Sequence, residues 1–224
     1  MIEYFNEDCM VGMARYPDKY FDLAIVDPPY GIGIDGQKES ISTNRFRHDF
    51  KGWDTAIPDK EYFIELFRVS ENQIIWGGNY MVEKLKNSRC WLIWDKIQEF
   101  SGADFEMAWT SFNKSAKAFR MSRVEAYTNQ DKIHPTQKPV ALYKWLLKNY
   151  AKQGDLILDT HVGSASSLIA CHDMGFDAVG FELDPDYYKA SKQRLERHMA
   201  QIQITDLAPV IKPEQIAFTE VYDK

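Results

Sequence analysis

Residues 156–167 read Leu156-Ile157-Leu158-Asp159-Thr160-His161-Val162-Gly163-Ser164-Ala165-Ser166-Ser167, an apolar run followed by a carboxylate and a turn of small residues. A short, continuous apolar run is typical of a buried parallel strand. Small residues let the backbone approach a ligand closely, and the helix that follows exposes unpaired N–H groups at its start. The stretch therefore predicts a strand, a ligand-binding turn and a helix in direct succession.

An acidic residue follows this unit at the spacing of a nucleoside site. The next apolar run ends at Glu182, 23 residues after Asp159. A carboxylate at that strand end is placed to accept hydrogen bonds from both ribose hydroxyls of a nucleoside. The turn is not a dinucleotide fingerprint, because G-x-G-x-x-G is absent and position 165 is Ala. Tight packing of the turn, with no ligand, is the alternative interpretation.

A second motif lies near the start of the chain. The apolar run at 23–26 is followed directly by Asp27, Pro28, Pro29 and Tyr30. Open α/β sheets place their chemistry just beyond the carboxyl ends of such strands. The two prolines stiffen the turn and have no N–H, so the segment presents acceptors beside a flat ring. This cluster suits a planar group with an –NH2, such as a nucleobase, and a solvated strand cap is the simpler alternative.

The rest of the chain sets the fold class. Apolar runs alternate with helical periodicity, which predicts an α/β protein with a doubly wound, mainly parallel sheet. We expect a helix over 79–87 and an irregular, polar and basic stretch over 113–133. No apolar run approaches 18 residues and no leader pattern is present, so we expect neither a membrane span nor a signal peptide.

Cysteine count and charge narrow the functional classes. Three cysteines without a C-x-x-C pair predict a reducing cytosol, and neither cysteines nor histidines have the spacing of metal ligands. The formal net charge of −6 argues against non-specific coating of nucleic acid, although a local basic face is compatible with it. Basic stretches at 38–51 and 114–123 are candidates for such a local basic face, with solvated surface as the alternative. The candidate residues are Arg45, Arg47, Lys114, Lys117, Arg120 and Arg123.

Together these motifs resemble the DNA amino-methyltransferases that use S-adenosyl-L-methionine, over approximately residues 1–200. Residues 27–30 resemble the catalytic Asp-Pro-Pro-Tyr motif of that family, and 159–167 resemble its cofactor loop, commonly Asp-Pro-Phe-x-Gly-Ser-Gly. Residues 134–139 resemble the segment that enters the preceding helix. The motif order is similar to that of the beta group. Thr160, His161 and Ala165 depart from the commoner Pro, Phe and Gly; Ala165 is expected to cost little if its φ is negative.

The resemblance implies a seven-stranded, Rossmann-like methyltransferase sheet with helices on both faces, no metal, and S-adenosyl-L-methionine as cofactor. Lys138, or N–H groups at its helix start, is expected to meet the cofactor carboxylate. The implied catalytic residues are Asp27, Pro28, Pro29 and Tyr30. The implied cofactor-binding residues are Asp8, Cys9, Asp27, Thr136, Lys138, Asp159, His161, Gly163, Ser164, Ala165, Ser166 and Glu182.

We expect a single methyltransferase domain over residues 1–202. Its catalytic half covers about 1–112, a short basic DNA-contact segment about 113–133, and its cofactor half about 134–202; residues 203–224 form a C-terminal tail. The short middle segment leaves no separate recognition domain. This predicts a short or relaxed target sequence in double-stranded DNA, or help from a second subunit in a homodimer.

The resemblance also implies a mechanism. Asp27 and the Pro28 carbonyl accept the two N–H bonds of the target amine, and Tyr30 stacks on a base flipped out of the duplex. An acidic first residue favours adenine N6, because Ser is commoner in cytosine-N4 enzymes of the family. Cytosine N4, RNA or protein glutamine, a nucleotide-dependent oxidoreductase and a non-catalytic binding module remain open. The implied setting is the cytoplasm of a prokaryote or phage-infected host, in restriction-modification or phage modification.

Overall fold

The computed structural model describes residues 1–35, 51–97, 103–128 and 132–201. Within these ranges, eight strands form one sheet. The strands are β1 (Ile2–Asn6), β2 (Phe21–Val26), β3 (Ser70–Trp76), β4 (Leu92–Asp95), β5 (Phe105–Thr110), β6 (Lys117–Arg120), β7 (Leu156–Asp159) and β8 (Asp177–Glu182). The helices are α1 (Cys9–Met13), α2 (Lys60–Val69), α3 (Arg123–Tyr127), α4 (Val140–Tyr150), α5 (Ser166–Met174) and α6 (Pro185–Met199). No helix in these ranges has the length and apolar character needed to cross a membrane.

The strand order places both predicted motifs at the centre of the sheet. The order is β1-β8-β7-β2-β3-β5-β4-β6, and β5 is antiparallel to both of its neighbours while the other pairs are parallel. From β7 the chain continues outward to β8, whereas from β2 it continues in the opposite direction to β3. The two crossovers leave a crevice between β7 and β2, which is the usual ligand position in open α/β sheets.

Two hydrophobic cores, one on each face, hold the sheet in place. Leu23 and Ile25 of β2 face the core formed with α4 and α5, whereas Ala24 and Val26 face the core formed with α1 and α2. Because successive side chains of a strand point to opposite faces, a continuous apolar run is what a central strand needs here. The doubly wound, mainly parallel α/β fold is thereby confirmed.

The expectation of seven strands is wrong, because the described residues contain eight. The additional strand is β6, which lies in the 113–133 stretch that we expected to be irregular and pairs in parallel with β4. Its sequence, Lys-Ala-Phe-Arg, is mostly exposed and carries no apolar run. Only Phe119 packs inward, against the ring of Trp145 at 5.7 Å between centroids. A short edge strand of this kind depends on its neighbour rather than on its own pattern.

The helix expected over 79–87 is also wrong. The segment contains two short 3₁₀ turns, Gly78–Tyr80 and Val82–Lys84. Met81 lies between them with a φ of −124° and is almost completely buried. The backbone leaves the helical region at this residue as its side chain enters the core, so a regular helix cannot continue through it.

Candidate active site

A cavity of about 570 Å³ lies at the carboxyl ends of the central strands. Asp27, directly after β2, forms part of its wall, and Thr160 and His161, directly after β7, form another part. Glu182 at the end of β8 and Asp8 before α1 complete this side of the cavity. Residues from distant parts of the chain therefore face one cavity.

The Asp27 carboxylate is held from two sides. The Tyr30 hydroxyl donates a hydrogen bond to Asp27 Oδ1 at 2.6 Å, and the Lys138 ammonium donates to Asp27 Oδ2 at 2.5 Å. Burial raises the pKa of Asp27, and the positive charge of Lys138 opposes that rise. The carboxylate is thus fixed in orientation while one edge remains on the cavity wall.

The Tyr30 ring has close neighbours on several sides. It stacks on Tyr80, with centroids 5.3 Å apart and planes 19° from parallel. Gly77 has a φ of +68°, and a Cβ at this position would overlap the Tyr30 ring, so both the backbone and the space favour glycine. Asp54 Oδ1 accepts the backbone N–H groups of Tyr30 and Gly31, each at 2.8 Å. These contacts fix the turn that carries the Asp27–Tyr30 pair.

Lys138 is buried and lies within a cluster of alternating charges. Its ammonium is 3.1 Å from Glu106 Oε2 on β5, and Lys96 approaches the other oxygen of Glu106 at 2.8 Å. Although burial alone would lower the pKa of Lys138, the carboxylates of Asp27 and Glu106 raise it. For Glu106 the two lysines outweigh burial and lower its pKa to about 2. These shifts favour the charged forms of Glu106 and Lys138.

Glu182 is fixed at the other end of the cavity. Its Oε2 accepts the backbone N–H of Gly163 at 2.8 Å, and its Oε1 accepts that of Asp184 at 2.9 Å. Burial raises its pKa, and the two N–H groups oppose that rise. Each oxygen keeps a further lone pair for a ligand hydroxyl. Asp8 has a local role as well, because its side chain caps α1 by accepting from Met10 N at 2.8 Å.

The turn after β7 is built around Asp159. One oxygen of this buried carboxylate accepts His161 N at 3.0 Å, and the other accepts the Ser167 hydroxyl. Burial raises the pKa of Asp159 to about 7, despite these hydrogen bonds. Burial also lowers the pKa of His161 to about 4, so the imidazole on the cavity wall is neutral at pH 7.

Ala165 does not have the negative φ under which we expected alanine to cost little. Its φ is +63°, in the left-handed region, at the residue that precedes α5. A Cβ in this region is strained, which is why glycine is usual there. The expectation that alanine costs little at this position is therefore wrong, since it required a negative φ.

Residues 51–53, in the described part of the segment between β2 and α2, form one side of the cavity. Lys51 donates to both oxygens of Asp184 and to Asp186 Oδ2, each at 2.8 Å. It also lies 4.8 Å from the centre of the Tyr187 ring. The neighbouring residues Gly52 and Trp53 line the cavity. An ionic contact therefore joins this segment to the start of α6.

The candidate DNA-contact residues do not lie on one surface of the structure. Arg45 and Arg47 lie outside the described residues. Lys117 opens β6 at the edge of the sheet remote from the cavity, and Lys114 donates to the carbonyl of Asn149 near the end of α4, at that same remote edge. Arg120 ends β6 at the cavity edge, pairs with Asp95 at 2.9 Å and is well exposed. Arg123 begins α3 just beyond it.

Most of the predicted cofactor residues line the cavity. They are Asp8, Cys9, Asp27, Thr136, Lys138, His161, Gly163, Ser164 and Glu182. Pro29 lines it too, whereas Asp159, Ala165 and Ser166 lie behind its wall. Pro28 is buried next to Asp27. Lys138 is placed differently from our expectation, since its ammonium contacts the Asp27–Tyr30 pair.

Sequence reasoning missed four polar or aromatic residues of the site. They are Asp54, Tyr80, Lys96 and Glu106. Glu106 lies in an alternating strand pattern, and Asp54 in a loop without periodicity. Tyr80 follows Gly77 and Gly78 at the end of an apolar run, which is the one local signal that marked a turn near a strand end.

Fold and site together define a class: an open α/β protein whose cavity, at the switch point of the sheet, is bordered by the carboxylates of Asp27 and Glu182. The chain belongs to the DNA methylase family N6_N4_Mtase, whose pattern matches residues 75–193, about half of its length. This match begins after the Asp27–Tyr30 pair.

Curated relatives agree with this assignment. The chain is 23% identical to the Type II methyltransferase M2.MboI of Moraxella bovis, over 94% of this chain and 90% of that protein. It is 31% identical to the Type II methyltransferase M.HpaI of Haemophilus parainfluenzae, over 36% of this chain and only 26% of that longer relative.

Solved structures share the fold. The M1.HpyAVI–SAM complex superposes with a TM-score of 0.59 at 17% identity, over 87% of this chain and 99% of that one. PvuII DNA methyltransferase, described as cytosine-N4-specific, gives a TM-score of 0.59 at 10% identity, over 88% of this chain and 91% of that one. At these identities the likeness concerns the fold alone.

Proposed function

We propose that this chain transfers the methyl group of S-adenosyl-L-methionine to the N6 amine of adenine in double-stranded DNA. The observation that carries the proposal is the Asp27 carboxylate, which Lys138 and Tyr30 hold on the wall of a cavity bordered by Glu182. Acceptors for an amine and acceptors for a ribose thereby lie around one volume, as transfer between two bound molecules requires.

The cavity residues fit this cofactor. A volume of about 570 Å³ lies within the roughly 300–1,000 Å³ of small-molecule sites. Glu182 offers its remaining lone pairs to ribose hydroxyls, and the exposed Leu183 side chain offers apolar surface to a flat base. When bound, S-adenosyl-L-methionine supplies an electrophilic methyl group on a positively charged sulfur.

The chain's own part of the reaction is to position the amine. The exocyclic nitrogen of adenine is a poor nucleophile, because its lone pair is delocalised into the ring. If Asp27 and the Pro28 carbonyl accept its two N–H bonds, the lone pair is directed away from the ring. Such a site works through orientation and electrostatics and needs no covalent nucleophile. Asp27 is also the acceptor nearest to the proton that the amine gives up.

A base in this site must share space with Tyr80. Tyr80 covers one face of the Tyr30 ring and is itself nearly half exposed. We place the flipped-out base on this face, with Tyr80 displaced toward solvent. The short 3₁₀ turn that carries Tyr80 has few hydrogen bonds to break. Base flipping is required because the target nitrogen is inaccessible inside a duplex.

Adenine is the favoured base because the motif begins with an acid. Cytosine N4 is the second candidate, since one solved neighbour is described as specific for it. Both bases present an exocyclic amine beside a ring nitrogen, so the Asp27 geometry alone suits either. We propose the cytoplasm of a prokaryote or a phage-infected host as the protein's setting, because the similar Type II methyltransferases come from bacteria.

The test is mass spectrometry of nucleosides from unmethylated DNA treated with the protein and S-adenosyl-L-methionine. We expect N6-methyldeoxyadenosine. N4-methyldeoxycytidine would support the second candidate, and the absence of both would contradict the proposal. Asp27→Ala should lose product by at least about 100-fold while cofactor binding is kept, because orientation effects have this size. Asp18→Ala, which removes an exposed acid paired with Arg68, is the control and should keep full activity.

A further inference from the structure

We propose that Lys138 and Glu106 are positioning residues for methyl transfer, with Glu106 holding the Lys138 ammonium so that it orients the Asp27 carboxylate. The inference rests on the proposed function and deepens it. It assigns to Lys138 a role at the reacting amine in place of the cofactor-carboxylate role expected from the sequence.

The hydrogen bonds of Lys138 fix its position. An ammonium has three N–H donors. Three acceptors lie within reach of Lys138 Nζ: Asp27 Oδ2 at 2.5 Å, Glu106 Oε2 at 3.1 Å and Tyr30 Oη at 3.1 Å. The Lys138 side chain is only 2% exposed. The three donors are matched by three acceptors, so the ammonium is held in one orientation.

Glu106 comes from a different part of the fold. It lies on β5, the antiparallel strand, and its second oxygen contacts Lys96 at 2.8 Å. The resulting order of charges is Lys96, Glu106, Lys138, Asp27, in which each group touches one of opposite sign. Buried ion pairs add little stability compared with apolar packing, so such a chain is better explained by the geometry it imposes.

The electrostatics around Asp27 give Lys138 a specific task. The groups that face Asp27 are Lys138 from the segment before α4, Tyr30 from its own turn, Glu106 from β5, Asp159 from β7 and Tyr62 from α2. Tyr143 of α4 lies next to Tyr30. Of these, Lys138 is the cation. It therefore favours the ionised, hydrogen-bond-accepting form of Asp27, while burial, Glu106 and Asp159 oppose that form.

Two substitutions separate this role from a structural one, because they should move the pH profile in opposite directions. Lys138→Met removes the cation, so the pKa of Asp27 should rise and the acid limb of kcat should move to higher pH. Glu106→Gln removes a repelling carboxylate, so the acid limb should move to lower pH, although kcat falls as Lys138 loses its support. Lys138→Arg keeps the charge and should leave the acid limb near its original position.

The measurement is methyl transfer at saturating DNA and S-adenosyl-L-methionine, from pH 5 to 9, with equilibrium binding of the cofactor measured separately. We expect Lys138→Met to lower kcat at pH 7 by about 100-fold and Glu106→Gln by about 10-fold. The Kd of the cofactor should change by less than about 3-fold in both. Lys144→Met, which breaks an ion pair between Lys144 of α4 and Asp173 of α5, is the matched control and should leave kcat unchanged.

Three results would overturn the inference. The first is a normal kcat in Lys138→Met together with much weaker binding of the cofactor. That result would show that Lys138 binds the cofactor carboxylate, as the sequence led us to expect. The second is an acid limb that moves the same way in both variants. The third is a natural chain that methylates no DNA, which removes the proposed function as well. If Lys138→Met fails to fold by circular dichroism, the nearly isosteric Glu106→Gln and the Lys138→Arg profile still decide the matter.

Discussion

At the scale of single residues, the turn after β7 combines two unusual features. Ala165 has a left-handed backbone where glycine would be unstrained, and Asp159 is a carboxylate buried behind the cavity wall. Both are buried, and both support the backbone that approaches the proposed ligand. The effect of each residue on the stability of the fold can be measured.

Ala165→Gly should stabilise the protein. The substitution relieves a left-handed alanine, which costs roughly 1–2 kcal/mol, and loses part of that gain to the greater freedom of glycine in the unfolded chain. We expect a net rise of about 0.5–1 kcal/mol in the free energy of unfolding, measured by urea denaturation. Ala170→Gly, in the interior of α5, is the control and should destabilise by about 1 kcal/mol. A loss of stability in Ala165→Gly would show that the left-handed backbone at Ala165 is not strained.

Asp159→Asn should change how stability depends on pH. The folded-state pKa of Asp159 is about 7, raised by burial above its ordinary value of 3.8. A carboxyl group with a raised pKa stabilises the fold when protonated, so its contribution is full below about pH 4 and is lost as pH rises to 7.

Asparagine cannot ionise and keeps its contribution throughout. The Tm of Asp159→Asn relative to that of the natural chain should therefore increase between pH 4 and pH 7. A Tm difference that stays constant across this range would show that Asp159 is not the titrating group.

At the scale of elements, β6 and α3 turn a basic stretch into two differently placed surfaces. β6 runs parallel to β4, so Lys117 and Arg120 lie at opposite ends of a four-residue strand, about 10 Å apart. Arg120 is on the cavity side, with Arg123 beyond it. Only this end is placed to meet DNA whose base enters the cavity.

The double variant Arg120→Ala and Arg123→Ala should weaken DNA binding, whereas Lys114→Ala and Lys117→Ala together should not. The two pairs change net charge equally, so the second is the matched control. Each lost phosphate contact should reduce the slope of log K against log salt concentration by about 0.9. Fluorescence anisotropy with a labelled duplex at several salt concentrations measures this slope. Equal slopes for the two variants would refute the assignment.

The sequence was informative where a residue's neighbours along the chain determine its structure. The runs at 23–26 and 156–158 predicted central strands, because burial on both faces demands continuous apolar residues. Edge strand β6 escaped prediction because its pairing with β4 is non-local. Glu106 escaped as well, since only the fold brings β5 beside Lys138. The sign of φ at Ala165 depends on the turn and on the packing of α5, which local pattern does not report.

At the scale of the whole molecule, one sheet joins distant parts of the chain. β1 pairs with β8, and β2 pairs with β7, so the carboxyl end of β2 gains its neighbour from far along the sequence. The cavity exists only where these partners meet. The contact between Lys138 and Asp27 likewise joins the second half of the chain to the first.

This pairing determines how long β2 must wait for its partner strand while the chain is being synthesised. A ribosome releases β2 early, but its partner β7 follows about 130 residues later, which at 5–20 residues per second is roughly 7–26 seconds. During that interval the apolar run at 23–26 has no strand on one side, which makes it a natural target for chaperones. An interrupted nascent chain would carry Asp27 without the cavity that the later strands complete, so under the proposed function we expect unfinished copies to be inactive on DNA.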